Sequence, residues 1–342
     1  MRRGTHGRSP RAHGTREGRA RGAHGARGAR GAALVTVTAA VALAAGCTAG
    51  PGGNDNGRAP EPQRSHTSAP ATGPVLAVKV DNAPEARPQT GLDAADVVYA
   101  EPVEGGLSRL MALYATQLPE EVGPVRSARE SDLELLRQFD RPTLAFSGAQ
   151  SKLLPLIEKA PLRAVTPGDA PEAYVRNDDR QAPHNLYLRP GELSAEPAGA
   201  GALTTGFTFG EAPEGGRAES SRTVRYPATS FTFTWSESRD RWLVSLDGSP
   251  AGVADGERLA PATVVVQHVT VRDSAFRDFR GSNSPYVESV GSGRAEVLRD
   301  GRTYDATWTR DTAADGTKFT TRDGAALNFA EGQVWVVFAG GS

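Results

Sequence analysis

Four arginines in the first half of the chain stand where they could hold a bound anion. Arg126 and Arg129 flank Ser127 in a short run that leads into a predicted helix. The first turn of a helix presents unpaired N–H groups and partial positive charge, and guanidinium groups bind phosphate or carboxylate at two points. Arg87 and Arg109 lie earlier, in or beside polar loops. These five side chains form the predicted anion site.

Three acidic side chains in the same region allow roles for the arginines other than binding a free anion. Asp96, Glu101 and Glu104 lie on or beside predicted strands. They could neutralise the arginines in an ion-pair network that only holds the fold together, or act as acid/base groups beside a substrate. Their spacing, even with His184 included, matches no metal-ligand pattern, so no metal and no other cofactor is predicted.

His184 and Asn185 form the other polar candidate, in the segment Ala-Pro-His-Asn-Leu-Tyr at 182–187. A histidine there could act as a base, a ligand or a hydrogen-bond donor at the edge of the anion site, or it could simply anchor a loop. No Gly-x-Ser-x-Gly, His-Glu-x-x-His or phosphate-loop motif occurs. The catalytic residues are therefore unknown, and whether the chain is an enzyme stays open.

The elements that must position these residues alternate between strands and helices. Apolar runs predict strands, and a Gly-Gly turn at 105–106 joins two of them as a hairpin. Ser127 and Glu130 fit the capping box of a helix, whereas Pro155 should break or kink a second helix. The pattern predicts a mixed α/β domain over 74–190. The predicted strands are 75–80, 96–99, 107–115 and 143–146, and the second helix is 149–160.

The C-terminal part of the chain has a different pattern. Polar and apolar residues alternate at 230–235, 241–246, 263–272 and 303–309, and 334–338 is continuously apolar. Asp-Gly pairs between several of these runs suit tight hairpin turns. After a Gly/Ala/Pro-rich linker or long loop at 191–221, residues 222–342 are predicted to form a mainly antiparallel β domain, a small sandwich or barrel. The fold class is α+β.

The N-terminus predicts export and a lipid anchor. Nine arginines and one acid precede an uncharged apolar run at 32–45, which is too short to span a membrane and fits a signal peptide over 1–46. It ends at Cys47, the one cysteine of the chain, whose thiol can receive a diacylglyceryl group with fatty acids such as palmitate. Residues 47–73 are predicted to be a disordered tether. The predicted location is the extracytoplasmic face of the cell membrane.

The charge of the remaining chain excludes general nucleic-acid binding. Without the charged residues of the N-terminal segment, 30 basic and 39 acidic residues remain. An acidic protein lacks the basic face that nucleic acid requires, so the expected partner is the membrane, reached through the lipid.

Several long motifs resemble one bacterial family. They are Val-Asp-Asn-Ala-Pro-Glu-Ala-Arg-Pro-Gln at 80–89, Val-Glu-Gly-Gly-Leu-Ser-Arg at 103–109, Gly-Pro-Val-Arg-Ser-Ala-Arg at 123–129, the 182–187 segment and shorter C-terminal matches such as 264–267 and 327–335. Together they resemble the YerB-like lipoproteins, labelled domain of unknown function 3048, over roughly 75–338. The resemblance implies an N-terminal and a C-terminal domain on a membrane-anchored lipoprotein. It brings no established activity.

Three functions follow as hypotheses. The leading one is an envelope lipoprotein whose arginine cluster, with His184 and Asn185 at one edge, binds an anionic envelope ligand such as a lipid-linked phosphate or wall polymer. The second is a cell-wall transferase or hydrolase that uses Asp96 and Glu104 beside the same arginines. The third is a protein-interaction scaffold that works through exposed strand edges or an apolar patch.

Overall fold

The described residues of the computed structural model are 73–193, 195–254, 256–278 and 281–340. All of them belong to one compact unit of the chain, Arg64–Ser342. The predicted signal peptide, Cys47 and all of the tether except Gly73 lie outside the described residues.

The described residues up to Leu188 form seven strands and two short α-helices. The strands predicted there from apolar runs are confirmed as the first four, with ends that differ by at most three residues. The strands are β1 (Leu76–Asp81), β2 (Val97–Pro102), β3 (Ser108–Tyr114), β4 (Thr143–Ala145), β5 (Arg163–Val165), β6 (Tyr174–Arg176) and β7 (Leu186–Leu188); the helices are α1 (Glu130–Leu136) and α2 (Leu154–Lys159).

In the second half the regular elements are almost all strands, as the alternating pattern predicts. They are β8 (Arg217–Ala218), β9 (Ser221–Tyr226), β10 (Thr229–Ser236), β11 (Arg241–Leu246), β12 (Ser249–Pro250), β13 (Thr263–Val269), β14 (Val271–Arg277), β15 (Asn283–Val287), β16 (Gly291–Arg299), β17 (Arg302–Arg310), β18 (Lys318–Thr320) and β19 (Val334–Gly340). The run predicted as one strand at 263–272 is divided between β13 and β14.

One large sheet takes strands from both halves of the chain. Its order is β18-β17-β16-β13-β19-β2-β3-β1-β4-β5, with β8 paired to β17. The last strand, β19, lies between β13 and β2 and pairs with both in parallel. Its continuous apolar sequence suits this central place, because a strand covered on both faces has no polar side. The domain boundaries predicted at 190 and 222 stay a prediction; the sheet takes strands from both sides of them.

Different layers cover the two faces of the large sheet. On one face lies a four-stranded antiparallel sheet, β12-β11-β10-β9, whose Phe231 and Phe233 pack edge-on against Trp335 of β19. On the other face lie α1, α2 and the β14–β15 hairpin, with Leu135, Ile157 and Val287 buried in one apolar cluster. Side chains alternate along each strand, so each strand contributes to both apolar layers.

The helices correct two predictions, and the fold is mainly β. The predicted capping box is wrong: α1 begins at Glu130 instead of just after Ser127, and the Arg129 N–H donates to the side chain of Asp132 at 2.7 Å. Pro155 does not break the second helix but lies in its first turn, where the missing N–H costs nothing. In the described part of the predicted N-terminal α/β domain, α-helix is thus limited to two short segments, beside several single turns of 3-10 helix.

Among the residues that the structure describes, no helix is long and apolar enough to cross a membrane.

Candidate functional site

Strand alternation gathers polar side chains at one end of the helix-covered face of the sheet. Lys79 and Asp81 on β1, Glu101 on β2 and Arg109 on β3 alternate with apolar residues that point to the opposite face. Arg109 lies directly opposite both Asp81 and Glu101 in the two antiparallel ladders. Because β1 and β2 run in the same direction, their carboxyl ends meet at this edge.

The innermost part of this polar region is a buried, hydrogen-bonded triad of one lysine and two acids. Lys79 donates to Glu101 and, at 2.6 Å, to Asp132 of α1, and all three side chains are at most 2% exposed. Burial, together with the charge of Asp132, raises the pKa of Glu101 from 4.5 to about 8, although Lys79 opposes the shift. The triad therefore connects β1, β2 and α1 beneath the site.

Outside the triad the polar side chains line a cleft of about 1470 Å³. Its walls come from the ends of β1 and β3, the segment before α1, the loop that carries His184, and the β14–β15 hairpin. Five predicted site residues line it together with Glu104: Arg109, Arg126, Ser127, Arg129 and His184. The hairpin contributes Phe276 and Ser284 from the C-terminal half of the chain.

Arg129 is neutralised by Glu104. Its Nε and Nη2 donate to the two carboxylate oxygens at 2.7 Å each, and Ser284 also donates to Glu104. Burial alone would raise the pKa of Glu104, but the hydrogen bonds and charge of Arg129 lower it below its ordinary value. Glu104 is thus fully engaged as an acceptor.

Arg126 shares a carboxylate with His184. Nε of Arg126 and Nδ1 of His184 each lie 2.8 Å from Oδ2 of Asp81, while the other oxygen accepts the N–H of Ala83 at 3.1 Å. Asp81 is 3% exposed. The arrangement fixes the imidazole ring and places it beside a guanidinium group.

Of the three arginines at the base of the cleft, Arg109, Arg126 and Arg129, it is Arg109 that has no carboxylate partner among the described residues. Its Nη1 donates to the carbonyl of Ser127 at 3.1 Å, and no Asp or Glu oxygen forms an ion pair with it in that part of the chain. Burial, with the nearby charges of Arg129 and Arg126, lowers the pKa of Arg109 to about 10. Three arginines therefore face two carboxylates, which leaves one positive charge in excess.

Comparison with known proteins places the chain in a family. Residues 62–203 match the family described as "Protein of unknown function (DUF3048) N-terminal domain", and residues 222–336 match the corresponding C-terminal domain. The chain belongs to the YerB-like DUF3048 family. A protein of Bacillus subtilis (strain 168) named "Putative lipoprotein YerB" is 27% identical over 271 residues, 76% of this chain and 80% of that protein.

A solved structure of a YerB protein has a fold similar to that of this chain. The crystal structure of the YerB protein from Bacillus subtilis is similar to this chain with a TM-score of 0.64 and 22% identity, and the match covers 78% of this chain and 90% of that one. At this identity the likeness concerns the fold.

Some residues predicted for the site of this YerB-like chain lie elsewhere. Arg87 pairs with Asp247 at 2.7 Å and lines a separate pocket of about 330 Å³. Asn185 is buried and accepts a hydrogen bond from Arg176. Asp96 lies at the opposite end of β2, where its carboxylate accepts the N–H groups of Ala115 and Thr116.

Asp81 and Lys79 are among the residues of the site that were not predicted from the sequence. Asp81 is the last residue of β1, directly before a polar loop. Its partner His184 is 103 residues away in the sequence, so local spacing does not reveal the pair. Lys79 lies inside a strand that is otherwise apolar, and that interruption is the one sequence signal that could have marked it.

The Asp96/Glu104 pair of the second hypothesis and the interaction surface of the third gain no specific observation. No group of three or more His, Cys, Asp or Glu side chains converges for a metal among the described residues. Asp96 is remote from the cleft and Glu104 is already engaged, so the proposed acid/base pair is not assembled. Large exposed apolar side chains in the described ranges are limited to Leu154, Leu156 and Phe209, which do not form a broad patch for a protein partner.

Proposed function

We propose that this chain is a lipid-anchored protein of the extracytoplasmic membrane face whose cleft binds an anionic ligand of the cell envelope. Two observations support the anchor: the Bacillus subtilis relative is named a lipoprotein, and Cys47 ends a signal-like segment. The ligand proposal depends on the cleft.

The observation that carries the ligand proposal is the excess charge at Arg109. Arg109 is partly buried, and a cation that is partly removed from water without a counter-ion is unfavourable, so its surroundings favour an anion that can pair with it. Arg126 and Arg129 retain donors that their carboxylate partners do not use, and guanidinium geometry matches the oxygens of phosphate. An anion that enters the cleft would therefore meet several donors at once.

The charge balance at the base of the cleft, rather than that of its whole lining, favours an anion with a single charge. Arg109, Arg126 and Arg129 against Asp81 and Glu104 leave one positive charge, and we call these five residues the inner charge cluster. The other charged residues of the lining are two arginines and four acids, which would repel a dianion: Arg180, Arg277, Glu85, Glu130, Asp179 and Asp278. A phosphodiester carries one charge, whereas a phosphomonoester near neutral pH carries nearly two. The ligand we propose is a phosphodiester.

Calorimetric titration of the full-length protein tests this ligand class. Glycerophosphoglycerol is a soluble diester with one charge, and glycerol 3-phosphate is the matched monoester. We expect the diester to bind more tightly than the monoester, and Arg109→Gln to weaken its binding. A hydrogen bond to a charged group is worth about 1.5–3 kcal/mol, which corresponds to a loss of about tenfold to a hundredfold in affinity.

Arg322→Gln is the matched control, because it removes the same charge from a side chain that is 85% exposed. It should leave the affinity unchanged. Vesicles of phosphatidylglycerol in phosphatidylcholine, compared with pure phosphatidylcholine, distinguish a lipid headgroup from a free diester as the source. If neither the soluble diester nor the anionic vesicles bind, or if Arg109→Gln binds as well as the wild type, the ligand proposal is wrong.

A further inference from the structure

Besides its arginines, the cleft contains an imidazole, that of His184, which a buried carboxylate orients. Because a carboxylate accepts hydrogen bonds and cannot donate them, His184 Nδ1 carries the proton that faces Asp81 Oδ2 at 2.8 Å. The lone pair of the neutral ring is then on Nε2. This nitrogen has no hydrogen-bond partner among the described residues, and the side chain, 20% exposed, lines the cleft.

Backbone hydrogen bonds fix the loop that carries the ring. The His184 N–H donates to the carbonyl of Gln181 at 3.0 Å, and the next residue is fixed because the Asn177 N–H donates to the carbonyl of Asn185 at 2.9 Å. Asp81 is itself held by the Ala83 N–H and by Arg126. An orienting carboxylate, a fixed ring and a free Nε2 are the arrangement that a general base requires.

We propose that His184, positioned by Asp81, is the general base of a phosphodiester hydrolase in this cleft. The inference rests on the proposed function, because the diester is the ligand that the inner charge cluster binds. Arg109 and Arg126 would neutralise the charge that develops on the phosphate oxygens during the reaction. His184 is the catalytic residue, and Asp81 is a positioning residue.

The reaction consumes one water molecule and needs no other reactant. The water oxygen forms a bond to phosphorus as the bond from phosphorus to one alcohol oxygen breaks. The water proton moves to Nε2 of His184, and the leaving alkoxide receives a proton through the water in the open cleft as His184 releases its own. The products are a phosphomonoester and an alcohol, and the ring is neutral again.

The simpler alternative is a histidine that only ties its loop to β1. The two roles differ in what a substitution changes. A histidine that only anchors the loop would alter stability or affinity, whereas a general base changes turnover at constant affinity. General base catalysis contributes about a hundredfold to ten-thousandfold to rate.

The test measures turnover and binding separately on the full-length protein, with EDTA present to suppress contaminating metal-dependent phosphodiesterases. Bis(p-nitrophenyl) phosphate is the turnover probe, and glycerophosphoglycerol is the binding probe. We expect the wild type to release p-nitrophenol and His184→Gln to lose at least a hundredfold in kcat, while its affinity for glycerophosphoglycerol changes less than threefold. Arg322→Gln serves again as the control and should keep the wild-type rate.

The pH profile of the rate tests the role of Asp81. Protonation of the base should lower the wild-type rate at acidic pH, and Asp81→Asn should move this fall to more acidic pH, because the imidazolium loses its carboxylate partner. If Asp81→Asn only reduced the fraction of folded protein, the rate would be lower at every pH, but the pH at which it falls would not change. The charged groups that line the cleft with the ring are the inner charge cluster together with Glu85, Glu130, Asp179, Arg180, Arg277 and Asp278.

The outcomes separate the two proposals. Binding without turnover in the wild type, or equal turnover in His184→Gln, overturns the catalytic inference and leaves the binding function standing. If neither the soluble diester nor the anionic vesicles bind, both fail. Turnover that only the histidine variant loses, with binding kept, supports both.

Discussion

Arg129 and Glu104 meet in a two-point ion pair, with Nε 2.7 Å from Oε1 and Nη2 2.7 Å from Oε2. The pair is 13% and 8% exposed, and Ser284 of β15 donates to the same carboxylate. It therefore joins the β2–β3 turn, the start of α1 and the C-terminal hairpin at one point. Removal of the carboxylate leaves a largely buried guanidinium without its partner.

Glu104→Gln should lower the free energy of unfolding by about 3 kcal/mol, the lower end of the range for a broken buried pair. Because the pKa of Glu104 is lowered in the folded protein, its contribution is present at neutral pH and lost as pH falls through the folded pKa. The difference between wild type and variant in urea denaturation should therefore shrink toward pH 3. Glu288→Gln, which breaks an exposed pair with Arg272, should cost less than about 1 kcal/mol. A constant difference at all pH values would contradict this account.

Periodicity was sufficient to predict most strands but not their partners. Alternation at period two marks β10, β11 and β17, and apolar runs mark β1 and β19, because burial imposes these patterns on any strand. Nothing local indicates that β19 lies between β13 and β2, since pairing depends on segments far apart in the chain. For this reason the sequence predicts the elements better than the sheet that unites them.

The candidate site shows the same limit. The arginines before α1 and His184 could be singled out by residue type and local context, and the cleft brings them together. Which acid neutralises which arginine could not be predicted, because Arg126 pairs with Asp81 and Arg87 with Asp247 over long sequence separations. Tertiary contacts decide such pairings, and local spacing does not encode them.

Arg87→Gln should weaken the fold and leave ligand binding unchanged. Arg87 donates to Asp247 at 2.7 Å, to the carbonyl of Asn82 at 2.7 Å and to Thr229 at 3.2 Å, and so connects the first polar loop to the four-stranded sheet. Loss of these hydrogen bonds should cost about 1.5–3 kcal/mol in thermal or urea unfolding. Affinity for glycerophosphoglycerol should stay within twofold of the wild type. A loss of affinity as large as that of Arg109→Gln would place Arg87 in the binding site after all.

Cys47→Ser should abolish attachment of fatty acid. Cys47 is the one cysteine of the chain, so no second thiol can replace it as the acceptor. Cells that express the wild type and are fed an alkyne analogue of palmitate should label the protein, and the variant should carry no label. Thr48→Ala, a change at the neighbouring position, should be labelled like the wild type. Label that persists in Cys47→Ser would show that the lipid is attached elsewhere.

Glu101→Gln should remove a dependence of stability on pH. Burial and the charge of Asp132 raise the pKa of Glu101 from 4.5 to about 8, so the folded protein retains a proton that the unfolded chain releases between these values. Wild-type stability should therefore fall as pH rises through this window, by at most about 1.4 kcal/mol per pH unit from this group. Glutamine stays neutral at every pH. In urea denaturation, the free energy of unfolding of the variant should therefore rise relative to that of the wild type between pH 5 and pH 8. A difference that does not change with pH would mean that Lys79 keeps Glu101 ionised throughout.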